Sequence, residues 1–174
     1  MEMQGSRQIA APRAVVWAAL NDAEVLKTAM PGCQELTGSP ETGFEAVVKQ
    51  KVGPVAATFT GKVTLSDVVP LTSYTIAGEG KGGAGFAKGG AAVTLADDGD
   101  GTLLSYDVKA SVGGKLAQLG SRLIDGFAKK MADQFFENFQ VAVEPTVEAE
   151  AEAEAAGEGE KKPGWFRRMI GRTA

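Results

Sequence analysis

Residues Gly113 to Val143 read GGKLAQLGSRLIDGFAKKMADQFFENFQVAV, and the spacing of apolar residues in this stretch decides the fold. Leu116, Leu119, Leu123, Phe127, Met131 and Phe135 recur at intervals of three or four, which lines them along one side of an α-helix. Lys115, Arg122, Lys129, Lys130 and Glu137 mostly fall elsewhere. Gly113 and Gly114 loosen the chain before this helix. Glu144-Pro145 ends it, because proline disfavours the α conformation in the residue before it. The pattern predicts one long amphipathic helix, which needs a surface to cover its apolar stripe.

The residues before it supply that surface. Met1 to Ile9 reads as a first strand, and Pro12 sits where a helix's first turn loses nothing by a missing N–H, ahead of Val15, Val16, Ala19 and Leu20. A second short helical turn is expected from Glu24 to Ala29. From Cys33 to Val112 the apolar period changes to two. Strands are predicted at about Cys33 to Thr37, Phe44 to Val52, Val55 to Val68, Tyr74 to Lys81, Phe86 to Ala96 and Thr102 to Val112. Between them stand Gly38-Ser39-Pro40, Gly53-Pro54, Pro70-Leu71-Thr72-Ser73, the glycines around Gly82 to Gly85, and Asp97-Asp98-Gly99-Asp100-Gly101, all suited to tight turns. Short turns between consecutive strands make an antiparallel meander. The whole is an α+β arrangement, a curved sheet of about seven strands around a long C-terminal helix, with one or two short helices after the first strand.

Alternation assigns the strand faces. The apolar side carries Phe44, Ala46, Val48, Gln50 and Val52, then Val55, Ala57, Phe59, Gly61, Val63 and Leu65, with Tyr74 and Tyr106 on later strands. Ala46, Ala57, Gly61, Gly78, Gly80, Gly89 and Ala91 are too small to reach a helix roughly 10 Å above a sheet. Either the helix approaches closely, for which Gly120 and Gly126 offer room, or a space remains. A curved sheet and a stripe of Leu, Phe and Met favour an apolar cavity, lined by Phe44, Phe59, Tyr74, Tyr106, Leu123, Phe127, Met131 and Phe135. Gln50 either places its amide inside to orient a ligand's carbonyl or hydroxyl, or turns to solvent at a bulge.

Composition narrows the function. The chain has 174 residues, 44% of them hydrophobic, which suits a single body with a substantial core. A net charge of −4 argues against nucleic acid as a partner. With no histidine and one cysteine, the chain excludes a Ser-His-Asp or Cys-His site, multi-cysteine metal sites and intramolecular disulfides. The first residues carry an acid and no long apolar run, so neither a signal peptide nor a membrane span is expected there, and the body is expected to be cytoplasmic.

Three motifs resemble chemical sites without their context. Gly78 to Gly83 matches G-x-G-x-x-G, yet no helix follows it, as a dinucleotide fingerprint requires. Asp97, Asp98 and Asp100 suit a hairpin turn better than a calcium loop, which needs a distant glutamate. Cys33 has no histidine to activate it and reads as packing.

Charge is segregated after the helix. Residues 1–145 hold thirteen Lys and Arg against sixteen Asp and Glu, Glu148 to Glu160 holds six acids and no base, and Lys161 to Ala174 holds five bases and no acid. The stretch 146–160 reads as a Glu/Ala tether spanning roughly 20 Å on average. In 161–174, Trp165, Phe166, Met169 and Ile170 share one helical face, with Arg167, Arg168 and Arg172 on or around the other. That pattern predicts a short interfacial helix for a membrane surface, against the alternatives of a docking peptide for a protein and an inert tail.

The order of strand, short helices, six strands and long helix resembles the helix-grip (Bet v 1/START-like) superfamily. APRAVVWAALND and PGCQEL near the start, KGGAGFAKGGA, and VGGKLAQLGSRLIDGFAKKMADQFF resemble its carbon monoxide dehydrogenase G-subunit branch over roughly residues 1–143. The resemblance implies a non-catalytic accessory protein without a metal or covalent cofactor. It further implies a cavity for an apolar molecule such as a quinone, a molybdenum hydroxylase-type carbon monoxide dehydrogenase as partner, and attachment to the inner face of the plasma membrane. Two alternatives stand beside it: a small cyclase or hydrolase acting on a hydrophobic substrate, and a pure assembly or anchoring factor.

Overall fold

Turn residues and alternation place the elements of the computed structural model, which describes residues 1–144. In order they are β1 (Glu2–Ile9), α1 (Arg13–Leu20), α2 (Ala23–Ala29), β2 (Cys33–Ser39), β3 (Gly43–Val52), β4 (Val55–Val69), β5 (Ser73–Gly82), β6 (Gly85–Asp98), β7 (Gly101–Gly113), a 3₁₀ turn (Gly114–Leu119) and α3 (Ser121–Val143). Pro12 opens α1, its carbonyl accepting from the Val15 and Val16 amides at 3.0 Å. Asp22 caps α2 by accepting from the Glu24 amide at 2.9 Å.

The strands form one seven-stranded antiparallel sheet in the order β1-β7-β6-β5-β4-β3-β2. Consecutive strands pair from β2 to β7, and β1 adds to the far edge beside β7. The register explains both faces. On the outside, Glu45, Lys62, Glu79 and Lys88 stand side by side across four strands, so unlike charges alternate along the row. On the inside, Ala46, Gly61, Gly80 and Ala87 form one row, and Gly78, Gly89 and Ala110 lie together in the next.

One expectation needs correction. The predicted helix is not continuous after Gly114: the chain finishes β7 at Gly113, makes a 3₁₀ turn and breaks at Gly120, whose φ of 89° is a conformation that side chains disfavour. The break resets the helical phase, so the buried residues of α3 are Ile124, Phe136 and Phe139, while Leu123 is 38% exposed. Phe127, Met131 and Phe135 are half-buried at the margins of that face.

The C-terminal half of α3 is pinned on both sides. Arg7 of β1 meets Asp133 at 2.9 Å and lies over the Phe136 ring at 5.7 Å. Gln140 donates to the Gln8 carbonyl at 3.1 Å, and Glu144 accepts from the Ala10 amide at 2.7 Å. On the other side, Asn138 donates to the Ala29 carbonyl of α2 at 3.1 Å.

Candidate functional site

The buried core divides into two clusters. One joins Ile9, Val16, Tyr74, Leu95 and Leu104 to Phe136 and Phe139 of α3. The other joins Val52, Ala84, Leu116 and Ile124, with Phe59 and Phe127 packed against it. Between them the inner face holds Val48, Val63, Ala91 and Val108, all half-buried. On α3 the sheet-facing positions between Ile124 and Phe136 are Ala128 and Ala132, also half-buried. Alanine and valine side chains thus meet across the middle of the sheet and helix interface, between the two buried clusters.

The glycines there have two different causes. At Gly89 an added Cβ would lie 2.2 Å from the Lys109 carbonyl oxygen, so backbone crowding demands glycine. At Gly80 it would meet nothing nearer than 3.7 Å, so a side chain has room and its absence leaves space. At Gly80 no atom of α3 lies within 4 Å of an added Cβ, so the helix does not approach closely there.

A groove of about 600 Å³ runs beside the N-terminal half of α3, the half without pinning hydrogen bonds to β1 or α2. Leu119, Leu123, Phe127 and Met131 form its apolar wall, Gln50, Lys51 and Gly53 of the β3–β4 hairpin face them, and Arg122, Lys130 and Gln134 supply polar groups. The volume lies within the range of small-molecule sites. Gly126 also lines it, and a Cβ added there would meet nothing within 4 Å.

Of the expected lining residues, the structure brings Gln50, Leu123, Phe127 and Met131 together in this groove. Gln50 lines the groove while its amide nitrogen donates to the Pro31 carbonyl at 2.5 Å, holding the α2–β2 connection against β3. The others are packed. Phe44 and Tyr74 are each 5% exposed, and Tyr74 meets Trp17 edge-on at 5.5 Å, where burial pushes its phenol pKa up. Tyr106 stacks on Phe136 at 5.2 Å, and Phe135 stacks on Phe139 at 5.9 Å. Phe59 belongs to the margin of the second cluster. Trp165, Phe166, Arg167, Arg168, Met169, Ile170 and Arg172 lie outside the described residues.

Sequence reasoning missed Arg122, Lys130 and Gln134 at the groove and Ala128 and Ala132 on the helix. The signal for the alanines was present, since they follow Ile124 at intervals of four, but a reading weighted to large side chains passes over them. Cys33 is half-buried, desolvation pushes its thiol pKa up, and its sulfur donates to the Glu35 carbonyl at 3.3 Å. A second depression, of about 800 Å³, lies on the outer face, where Val47 and Phe86 line it together with the alternating charges of Glu45, Lys62, Glu79 and Lys88.

Comparison with known proteins places this geometry. The family model for CoxG, the G subunit of carbon monoxide dehydrogenase, matches residues 5–144. A conserved protein from Geobacillus kaustophilus is 28% identical with a TM-score of 0.78, over 82% of this chain and 95% of that one. A protein from Thermus thermophilus is 15% identical with a TM-score of 0.62, over 82% and 97%. Ara h 8.0201, at 13% identity and a TM-score of 0.57 over 82% and 97%, shares the fold. No curated protein gives a significant match.

Proposed function

Because the chain belongs to the CoxG family, the G subunits of carbon monoxide dehydrogenase, we propose that it is a non-catalytic accessory protein that carries an apolar, quinone-like molecule in the groove beside α3. In this role it couples a molybdenum-containing dehydrogenase to the respiratory membrane. The observation that supports the reading is the groove itself, with Leu119, Leu123, Phe127 and Met131 as an apolar wall. A quinone is a flat apolar ring with two carbonyl acceptors. Arg122, Lys130 and Gln134 carry the donors that such carbonyls need. Among the described residues no helix is long and apolar enough to cross a membrane, so attachment falls to a surface contact, for which residues 161–174 have the composition.

Gly126→Leu tests the groove without damaging the core. Removing a glycine from a helix interior is worth roughly 0.5–1 kcal/mol, so thermal stability is expected to hold or rise. The new side chain enters open space in the groove, and uptake of a neutral naphthoquinone, followed by tryptophan quenching, is expected to fall at least about tenfold, the equivalent of roughly 1.4 kcal/mol. Undiminished uptake by a stable Gly126→Leu protein would place the ligand elsewhere.

A further inference from the structure

Antiparallel connectivity gathers particular turns at each end of the molecule. The β3–β4 and β5–β6 hairpins, the start of β1, the 3₁₀ turn and the start of α3 share one end. The β4–β5 and β6–β7 turns and the end of α3 share the other. Charge follows the same division. At the first end stand Lys51, Lys81, Lys115, Arg122, Lys129 and Lys130, against the two acids Glu2 at the start of β1 and Asp125 in the first turns of α3. At the second stand Asp67, Asp97, Asp98, Glu137 and Glu144, with Arg13 the cation paired to Asp97 at 2.8 Å. The dipole of α3, positive at its N-terminus, has the same sense. Exposed apolar side chains occur at both ends, Leu123 and Phe86 at the basic one and Val68, Val69 and Leu71 at the acidic one, so exposure alone selects neither.

We infer that the basic end of the body, around the mouth of the groove, docks on an anionic lipid surface, with Leu123 and Phe86 at the contact and the acidic end turned away. Charge complementarity selects the end: an anionic leaflet attracts the lysine-rich face and repels Asp67, Asp97 and Asp98. Apolar tips ringed by cations are the composition of an interfacial contact. The groove opens within this ring, since Lys51, Arg122 and Lys130 line it. Docking therefore points its apolar wall at the bilayer, the source and destination of a membrane-soluble molecule. This contact is separate from the one assigned to residues 161–174. The last described residue, Glu144, lies at the acidic end. Two weak contacts make a stable attachment where one is marginal. The inference rests on the proposed function only for the use of the groove; the division of charge stands without it.

The test uses full-length protein and vesicles of phosphatidylcholine with or without phosphatidylglycerol. A nitroxide is attached at Leu123→Cys or, as the control, at Val69→Cys, both in a Cys33→Ser background. On anionic vesicles the label at 123 is expected to gain collisions with oxygen and lose them with a water-soluble nickel chelate, while the label at 69 stays unchanged. Lys81→Gln, Lys115→Gln and Lys129→Gln together are expected to lower vesicle partitioning about a hundredfold, each cation near an anionic leaflet contributing several-fold. The inference is overturned if protein bound to vesicles leaves position 123 in water, if position 69 is shielded instead, or if the protein does not bind. Shielding of position 123 by the dehydrogenase without vesicles, and not by vesicles, would make the same face a protein interface and overturn it too. Naphthoquinone uptake in vesicle-free solution reads the proposed function separately.

Discussion

Phe139→Ala is expected to cost about 3–5 kcal/mol of folding stability, the range for removing a fully buried aromatic ring. Phe139 is 0% exposed, stacks on Phe135, and sits in the cluster that joins α3 to Ile9, Leu95 and Leu104. The surrounding ring contacts cannot collapse into the vacancy without moving the pinned half of the helix. Leu123→Ala, at a 38% exposed position, is expected to cost under about 1 kcal/mol. Urea unfolding of the two variants measures the contrast through their midpoints, provided the slope is unchanged. Equal losses would mean that α3 turns its Leu123 side to the sheet, as an uninterrupted helix following Gly114 would have it.

Gly32→Ala is expected to cost roughly 2–4 kcal/mol, from strain and the loss of two hydrogen bonds. Gly32 has φ of +74°, and an added Cβ would lie 2.1 Å from the Lys49 carbonyl oxygen and 2.9 Å from the Gln50 amide nitrogen. Backbone oxygen cannot swing aside as a side chain can, so the α2–β2 connection has to withdraw from β3. Withdrawal breaks the Lys49 amide bond to the Gly32 carbonyl at 2.9 Å and the Gln50 bond to Pro31. Faster hydrogen exchange at the Lys49 amide is expected alongside the lost stability. A Gly32→Ala protein with native stability and slow Lys49 exchange would contradict this description of the connection.

Much of the fold was legible because its signals are local. Gly53-Pro54 and Asp97 to Gly101 mark hairpins by composition, and alternation carries the strands between them to within a residue or two of their observed ends. The start of α3 was not legible, because Leu116 and Leu119 keep a spacing of three through a 3₁₀ turn and so imitate the helix that follows. Four groove residues were recovered by face assignment, since Gln50 is on the inner side of β3 and Leu123, Phe127 and Met131 share a side of α3. Tyr74, Tyr106 and Phe135 follow the same periodicity, and only three-dimensional packing separates aromatic core from groove wall. The bond from Gln50 to Pro31 joins residues nineteen apart through a connection without any period. The division of charge between the two ends is invisible along the chain, where Asp125 lies between Arg122 and Lys129, and emerges only when the hairpins are gathered by topology.

Native mass spectrometry of the purified full-length protein, with extraction and identification of any released molecule, tests most directly whether the body carries an apolar ligand. The expected spectrum shows protein with one apolar molecule attached, or free protein that gains one on incubation with a naphthoquinone, and in either case the complex is lost in Gly126→Leu. Protein that carries no such molecule and gains none from added naphthoquinone, while folded by its unfolding curve, would contradict the ligand-carrying role.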